Sequence, residues 1–362
     1  MARLYMRDQP RRSMDMKRDY YEDVQFLKDP VQRFWFVVLI LALAALPLLV
    51  HNYTVYVVNF LAINVMVALG MNILVGYTGQ VSLGHAGFVA IGAYGTVLLM
   101  TGLHLPFPLA LLGAAFIAAG FGFLLGLPAL RLEGPYLAIA TLGFGLAVTQ
   151  IIGRWSLFGG RMGLKVPKMS LGPWTLSGDK EIYYVIMTAT VVLGLGARTL
   201  MKSRVGRAFQ AIRDSDIAAE TLGINLAYYK TLSFAVSAFY AGMAGGLYAF
   251  VLGFINPDQF TFILSILFLA MVVVGGLGST LGSVLGGIAV AYLSFRMEVI
   301  QELPLLGPVL EAISERFLTV SGLPNVGWIF MGLVLILVVV FEPLGLYGLW
   351  LRTKRYWKTW PF

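Results

Sequence analysis

Long apolar segments constrain this chain more than any other feature of its sequence. A helix that crosses a bilayer needs about 20 mostly apolar residues. Ten segments approach that length, and they span residues 34–50, 54–75, 82–101, 107–127, 136–153, 182–200, 231–253, 260–276, 281–297 and 326–349. Charged residues make up only 12% of the chain, against about 25% in soluble proteins. The sequence therefore predicts an all-α polytopic membrane protein with about ten transmembrane helices.

The positions of lysine and arginine predict how these helices are oriented. Cytoplasmic loops collect basic residues, and an arrangement of ten helices places 19 of the 26 basic residues on one side. We therefore expect both termini in the cytoplasm. On this basis residues 1–33 form a cytoplasmic N-terminal segment, residues 34–350 the transmembrane domain, and residues 351–362 a cytoplasmic tail. The same pattern explains the net charge of +8, so nucleic acid is not an expected partner.

The stretch Met201–Lys230 is strongly basic and contains no apolar run. Its apolar residues recur at helical spacing, which predicts two short amphipathic helices on the cytoplasmic side. Ser215 and the aspartates beside it offer oxygens that cap the start of the second helix. Gly223 is suited to end that helix. Such an element fits either a docking surface or an ordinary loop whose basic residues only set the topology.

A second loop, residues 154–181, departs from the charge pattern because it is basic although it lies on the outer side. One interpretation is chance. The other is an electrostatic landing site for an acidic external partner, made by Arg161, Lys165 and Lys168.

Residues 70–95 read GMNILVGYTGQVSLGHAGFVAIGAYG. Glycines interrupt this apolar region, and Gln80, Ser82 and His85 lie between them. Polar side chains and broken helices at membrane depth are tolerated where protein or a water-filled cavity covers them. The region is therefore either a wall of a translocation pathway or a tight turn between helices.

The same region resembles a signature of the LivM type of permease subunit, found in bacterial branched-chain amino acid ABC importers. The run GYTGQVSLGHAGF, residues 76–88, is the strongest match. EGPYLAIATLG at residues 133–143 also matches, as do SRVGRAFQAIRDSDIAAETLGIN at 203–225 and FAVSAFYAGMAGGLYAF at 234–250. The resemblance covers roughly residues 35–345.

This resemblance implies a helical bundle similar to that of vitamin B12-type ABC importers, with a coupling element, residues 201–230, between the sixth and seventh helices. It further implies a LivH-type partner permease, two cytoplasmic ATPase subunits, a periplasmic substrate-binding protein and a place in the bacterial inner membrane. The substrates implied are leucine, isoleucine and valine. Permeases for urea, short amides or aromatic acids look similar, so these substrates stay open.

The chain contains no GxxxxGK[ST] motif of an ATP-binding loop. ATP and magnesium are therefore expected on the partner ATPase subunits, and this chain is expected to be a translocation subunit without enzymatic activity or cofactor. A free-standing secondary transporter or channel is the rival class. It is less favoured, because no charged residue lies near the middle of any predicted span.

Two further sets of site residues follow from this interpretation. Those expected to couple the chain to the ATPase are Arg207, Arg213, Asp214, Asp216, Glu220 and Gly223; the last two partially match the EAA…G-like motif of ABC permeases. Those expected on the translocation pathway are Asn64, Asn72, Gln80, Ser82, His85 and Thr141. Ordinary interhelical hydrogen bonds explain the second set nearly as well. We expect no catalytic or metal-binding residue.

Overall fold

The computed structural model describes residues 30–132, 134–171, 174–176, 178–300, 332–333, 336–338, 340–342 and 344–359. The chain divides into two units, residues 1–48 and residues 49–362. The described part of the first unit belongs to helix α1, Pro30–Leu49, which is apolar and contains Pro47.

The longer helices among the described residues of the second unit account for most of those residues. They are α2 Asn52–Met71, α3 His85–Gly102, α4 Phe107–Ala129, α5 Pro135–Arg154, α6 Asp179–Lys202, α7 Arg204–Asp214, α8 Asp216–Thr221, α9 Leu226–Leu252, α10 Phe262–Gly275, α11 Thr280–Ile300 and α12 Gly345–Thr359. A π-helical segment, Asn72–Tyr77, continues α2. The 3-10 turns are Ser156–Phe158, Gly160–Met162 and Pro257–Gln259.

Four short strands complete the described part of the chain. β1 Leu164–Lys165 pairs antiparallel with β4 Phe254–Ile255, with Leu164 opposite Ile255. β2 Met169–Leu171 pairs antiparallel with β3 Trp174–Leu176. The first pair ties two segments that are about 90 residues apart in sequence, whereas the second is a local hairpin.

Seven helices of the described residues are long and apolar enough to cross a membrane, and Phe34–Leu49 and Thr280–Arg296 are shorter apolar helices. These nine correspond to the first nine predicted segments. The tenth segment, 326–349, lies largely outside the described residues, so the count of ten stays a prediction. Its described end is not one continuous helix: Glu342 is not helical, and α12 begins at Gly345, where φ is +63°.

Helix α9 lies at the centre of the second unit, against α2, α3 and α4. Glycines permit this close approach. The space beside Gly92 of α3 is filled by the backbone of Gly242, and the space beside Gly245 by the backbone of Val89. A β-carbon at Gly92 or Gly245 would overlap those atoms, so the seam between α3 and α9 requires glycine.

The two ends of the second unit differ in structure. At one end the π-helical segment, residues 203–225 and the turn 276–279 lie together, and we call this the junction end. At the other end, residues 253–261 meet the described residues between 155 and 178 in short strands and 3-10 turns, and we call this the cap end. The 27 residues of α9 separate the two ends by about 40 Å.

Candidate coupling junction and charged cap

Helices α7 and α8 form as their local sequence predicts. The Ser203 hydroxyl accepts a hydrogen bond from the Gly206 N–H at 3.4 Å, and the Ser215 hydroxyl accepts one from the Ala218 N–H at 3.2 Å. Each serine thus caps the free N–H groups at the start of its helix. Gly223 follows α8 with φ of +81°. The two short helices predicted within residues 201–230, the Ser215 cap of the second and its glycine end are therefore confirmed, and the Ser203 cap is an addition from the structure.

Arg213 ties α7 to the membrane helices. Its Nη1 donates to the carbonyl oxygen of Gly76, within the π-helical segment, at 2.5 Å. A charged donor on a backbone oxygen is among the stronger hydrogen bonds in proteins. Gly76 leaves no room for a side chain, since an added β-carbon would meet the Asn72 amide oxygen and the Gly278 nitrogen. The arginine thus binds the backbone of the π-helical segment, where the continuation of α2 departs from α geometry.

Asn72 joins this segment to the turn between α10 and α11. Its Nδ2 donates to the Ser279 carbonyl at 3.0 Å, and its Oδ1 accepts from the Gly278 N–H at 3.0 Å. The hydroxyls of Tyr77 and Thr280 lie 3.2 Å apart and add a third contact. A buried amide that uses both its donor and its acceptor fixes its neighbours in one arrangement. Helix α7 is thereby connected, through the π-helical segment, to both α10 and α11.

A second tie links α8 to α9. The Lys230 Nζ lies 2.5 Å from Asp216 Oδ2, with side chains 11% and 34% exposed respectively. The Ser233 hydroxyl donates to the Lys230 carbonyl at 2.8 Å, and its oxygen lies 3.3 Å from the Gln80 side-chain amide. Sequence reasoning did not assign a role to Lys230. The signal that could have found it is a lysine at the start of a long apolar span.

The residues predicted on the pathway lie buried inside the protein. His85 Nε2 is 2.9 Å from the Ser237 hydroxyl, which itself donates to the Gly70 carbonyl at 2.6 Å. Because that hydroxyl proton is used, the serine oxygen accepts from the histidine N–H. Ser82 lies 3.4 Å from His85 Nδ1. This network stitches the broken region between α2 and α3 to α9.

Two more predicted pathway residues are satisfied in the same way. The Thr141 hydroxyl accepts from the Leu83 N–H at 2.9 Å, and Asn64 Nδ2 donates to the Phe60 carbonyl within its own helix at 2.8 Å. All these contacts fit the interpretation as interhelical or local hydrogen bonds. A place on the translocation pathway stays a prediction for the whole set.

The remaining predicted coupling residues lie on the outer surface of α7 and α8. Asp214 and Glu220 are exposed, and Arg207 Nη1 donates to the Lys202 carbonyl at 3.1 Å. Glu220 and Gly223 line a groove of about 710 Å³ together with Ile217. Ile217 is 78% exposed and Leu222 is 79% exposed. Neighbouring large apolar side chains exposed on a polar, charged element are typical of an interaction surface.

The predicted docking cations lie at the cap end. Arg161, Lys165 and Lys168 are all exposed. Arg161 belongs to the 3-10 turn Gly160–Met162, and Lys165 to β1. The structure separates their surroundings, because Arg161 lines a cavity of about 240 Å³ between α3, α5 and α10, whereas the two lysines do not line it.

Comparisons with known proteins agree on one family. The sequence model of the family described as "Branched-chain amino acid transport system / permease component" matches residues 53–339. The high-affinity branched-chain amino acid transport system permease protein LivM of Escherichia coli (strain K12) is 38% identical over 200 residues, which cover 48% of this chain and 47% of LivM. The chain therefore spans about half the length of the LivM relatives it matches.

Two other relatives cover a larger share of the chain. The permease protein LivH of the same kind of system in Salmonella typhimurium is 27% identical over 249 residues, 66% of this chain and 73% of LivH. The autoinducer 2 import system permease protein LsrC of Yersinia enterocolitica is 32% identical over 200 residues, 53% of each chain. No solved structure matches the chain.

Proposed function

The chain belongs to the family of branched-chain amino acid transport system permease components, and from this we propose that it is a transmembrane permease subunit of an ATP-driven importer. Its cargo is leucine, isoleucine and valine, which it passes inward across the bacterial inner membrane. Its own residues form the translocation pathway, while ATP and magnesium are bound by separate ATPase subunits.

The observation that carries this proposal is the surface of α8. Ile217 and Leu222 stand exposed beside Glu220, on a capped element that lies at the junction end and is not part of any membrane-length helix. The element is also tied inward, by Arg213 to the π-helical segment and by Asp216 to α9. An element that exposes one surface to a partner and is bonded to the membrane helices on the other suits the transfer of movement from that partner to the helices.

The junction end then faces the cytoplasm, in line with the excess of basic residues expected there. The N-terminal segment 1–33 and the tail 351–362 lie on the same side in this proposal. Arg207 and Asp214 complete the surface offered to the ATPase, and Gly223 permits the turn that ends α8.

A second permease subunit of LivH type is the proposed partner within the membrane. Support comes from the relatives, since both LivM and LivH proteins match this chain. Two chains of one family pair readily around a pseudo-twofold axis, because equivalent surfaces meet. The cap end would receive the periplasmic substrate-binding protein.

Association with the ATPase subunits tests the proposal. We expect Ile217→Asp to reduce co-purification of the ATPases at least about tenfold, because a charge in the apolar centre of an interface costs more than about 1.4 kcal/mol. Leu157→Asp is the matched control, since Leu157 is 56% exposed at the cap end. It should leave the association unchanged, and both variants should insert into membranes like the wild type.

Two results would contradict the proposal. One is undiminished ATPase association with Ile217→Asp. The other is stable, ATP-independent leucine uptake by this chain alone in liposomes, which would favour a secondary transporter or channel. Uptake of labelled leucine by the reconstituted complex, competed by isoleucine, valine, urea and an aromatic acid, fixes the substrate class; the LsrC match makes autoinducer 2 a useful further competitor.

A further inference from the structure

The cavity that Arg161 lines runs along α5 at the cap end. Its volume is about 240 Å³, and its walls come from α3, α5, α10 and the 3-10 turn Pro257–Gln259. On α5 the lining extends from Leu142 to Arg154, which is about 18 Å of helix. The cavity therefore reaches from the cap end well into the membrane-spanning part of the protein.

The two parts of this cavity have different chemistry. Three charged side chains lie where it meets the cap: Arg154 at the end of α5, Arg161, and Asp258. The deeper lining is mostly apolar, with Leu142 and Leu146 among its residues. A charged mouth above a mostly apolar wall has the same order of groups as an aliphatic amino acid.

The backbone holds this mouth in place. β1 and β4 pair, which brings the segment that follows Arg161 against the segment that precedes Asp258. Around Asp258, the Asn256 side chain accepts from the Gln259 N–H at 3.1 Å, and the Gln259 side chain accepts from the Asn256 N–H at 3.2 Å. This reciprocal capping orders the turn that carries the aspartate.

The three charged groups are exposed at the mouth of the cavity. Across the ranges that the structure describes, Arg154, Arg161 and Asp258 form no hydrogen bond or ion pair. Exposed charges gain little from pairing with each other, so none of the three has to break a bond to the protein before it meets a ligand. Here both signs of charge stay available to a ligand that carries both.

We propose that this cavity binds the cargo as a zwitterionic α-amino acid during its passage. Arg154 and Arg161 bind the carboxylate, and Asp258 binds the ammonium group. The branched side chain packs against the apolar wall at Leu142 and Leu146. The inference rests on the proposed function, because an aliphatic amino acid is the cargo assumed. It makes the arginines and the aspartate determinants of specificity within the permease itself.

The chain has no cysteine, so a single introduced thiol reports on the cavity directly. Thr149 lines the cavity, whereas Ser156 is exposed at the cap end and does not line it. In the complete importer complex we would measure how fast Thr149→Cys and Ser156→Cys react with a membrane-impermeant thiosulfonate reagent, with and without L-leucine. We expect leucine to slow the first reaction at least threefold and to leave the second unchanged.

Two leucine analogues separate the roles of the charges. 4-Methyl-2-oxopentanoate lacks the ammonium group, and isoamylamine lacks the carboxylate; both should protect Thr149→Cys less than leucine does. Asp258→Asn should remove the advantage of leucine over the oxo acid. Arg161→Gln should remove its advantage over the amine, while Lys165→Gln, a cation of the same cap outside the cavity, should change neither.

The outcomes distinguish this inference from the proposed function. If the wild-type complex takes up leucine but leucine does not protect Thr149→Cys, the cavity assignment is overturned and the importer proposal stands. Equal protection by leucine and by the oxo acid overturns the assignment of Asp258. If the complex takes up no branched-chain amino acid, the proposed function fails, and this inference fails with it.

Discussion

The junction end and the cap end use charge in opposite ways. At the junction end, Arg213 is bonded to the Gly76 carbonyl and Lys230 to Asp216, so both cations are committed to the protein's own structure. At the cap end, Arg154 and Arg161 form no such bond within the described residues, although Asp258 lines the same cavity. The charges of the junction end hold helices in register, whereas those of the cap end stay available to a ligand.

This contrast matches what each end has to do in an importer. A junction that transmits force must not yield, and bonded charges in a partly buried site resist separation because they are costly to leave unpaired. A cavity that binds the cargo must also release it. Its charged side chains are therefore better left solvated between transport cycles. The comparison predicts that substitutions at the junction end change stability and coupling, and that substitutions at the cap end change recognition.

The largest effect is expected at Gly76. Gly76→Ala places a β-carbon against Asn72 and the Gly278 nitrogen, which forces the junction apart and costs about 1–3 kcal/mol or more. We expect a clear fall in the thermal midpoint of the purified complex and loss of leucine uptake. Gly120→Ala is the control, because nothing lies within 4 Å of a β-carbon there. An unchanged thermal midpoint for Gly76→Ala would show that the junction end is not rigid.

Arg213→Gln comes next. It removes a charged hydrogen bond worth about 1.5–3 kcal/mol while leaving the surface of α8 intact. We expect the ATPases to stay bound and leucine uptake per ATP hydrolysed to fall about tenfold or more. Arg204→Gln, at the exposed start of α7, should keep the wild-type ratio. If Arg213→Gln instead releases the ATPases and leaves the ratio intact, Arg213 belongs to the docking surface, as the sequence first suggested.

A smaller effect is expected from the Asp216–Lys230 pair. Asp216→Asn leaves the nearly buried lysine without its carboxylate and should lower the stability by about 1 kcal/mol, since the pair is only partly shielded from solvent. Adding Lys230→Met should recover part of that loss, because no unpaired charge is then left behind. The thermal midpoints of the two single variants and the double variant test this. Strictly additive losses would show that the two side chains do not interact.

The smallest effect belongs to the exposed lysines of the cap. Replacing Lys165 and Lys168 together by glutamine should lower capture of an acidic substrate-binding protein by no more than about threefold at low salt, and not at all at high salt. Binding measured over a series of salt concentrations checks this. A larger, salt-resistant loss would mean that these lysines form a specific contact, which would contradict the view of the cap as a loosely charged receiving surface.

Much of the fold could be predicted from local signals in the sequence. Apolar length located nine helices. The helical spacing of apolar residues located α7, and the same spacing with the Ser215 cap and Gly223 located α8, because these features depend on residues only a few positions apart. The end of the tenth segment was harder. Residues 326–349 read as one apolar run, yet α12 begins at Gly345, and the signals of the break within that run are Glu342, Pro343 and Gly345 itself.

The junction itself could not be predicted, because its contacts join distant parts of the chain. Arg213 and Gly76 are 137 residues apart, and Asn72 and Gly278 are 206 apart. The family resemblance gave Arg213 an outward role, as a contact to the ATPase. Arg161 was predicted as part of an electrostatic patch because the loop 154–181 is basic. Its place in the same cavity as Asp258 depends on the pairing of two-residue strands, which leave no recognisable pattern.

The π-helical segment Asn72–Tyr77 has a further geometric meaning. A π turn holds one more residue than an α turn, so the segment stores a surplus residue within α2 and its continuation. If that surplus passed along the helix, everything beyond it would rotate by about 100° and advance by about 1.5 Å. Arg213 bonds to Gly76 within this segment, and Asn72 at its start bonds to Ser279. A small displacement of these contacts along the helix axis would therefore be converted into a rotation of the rest of the helix.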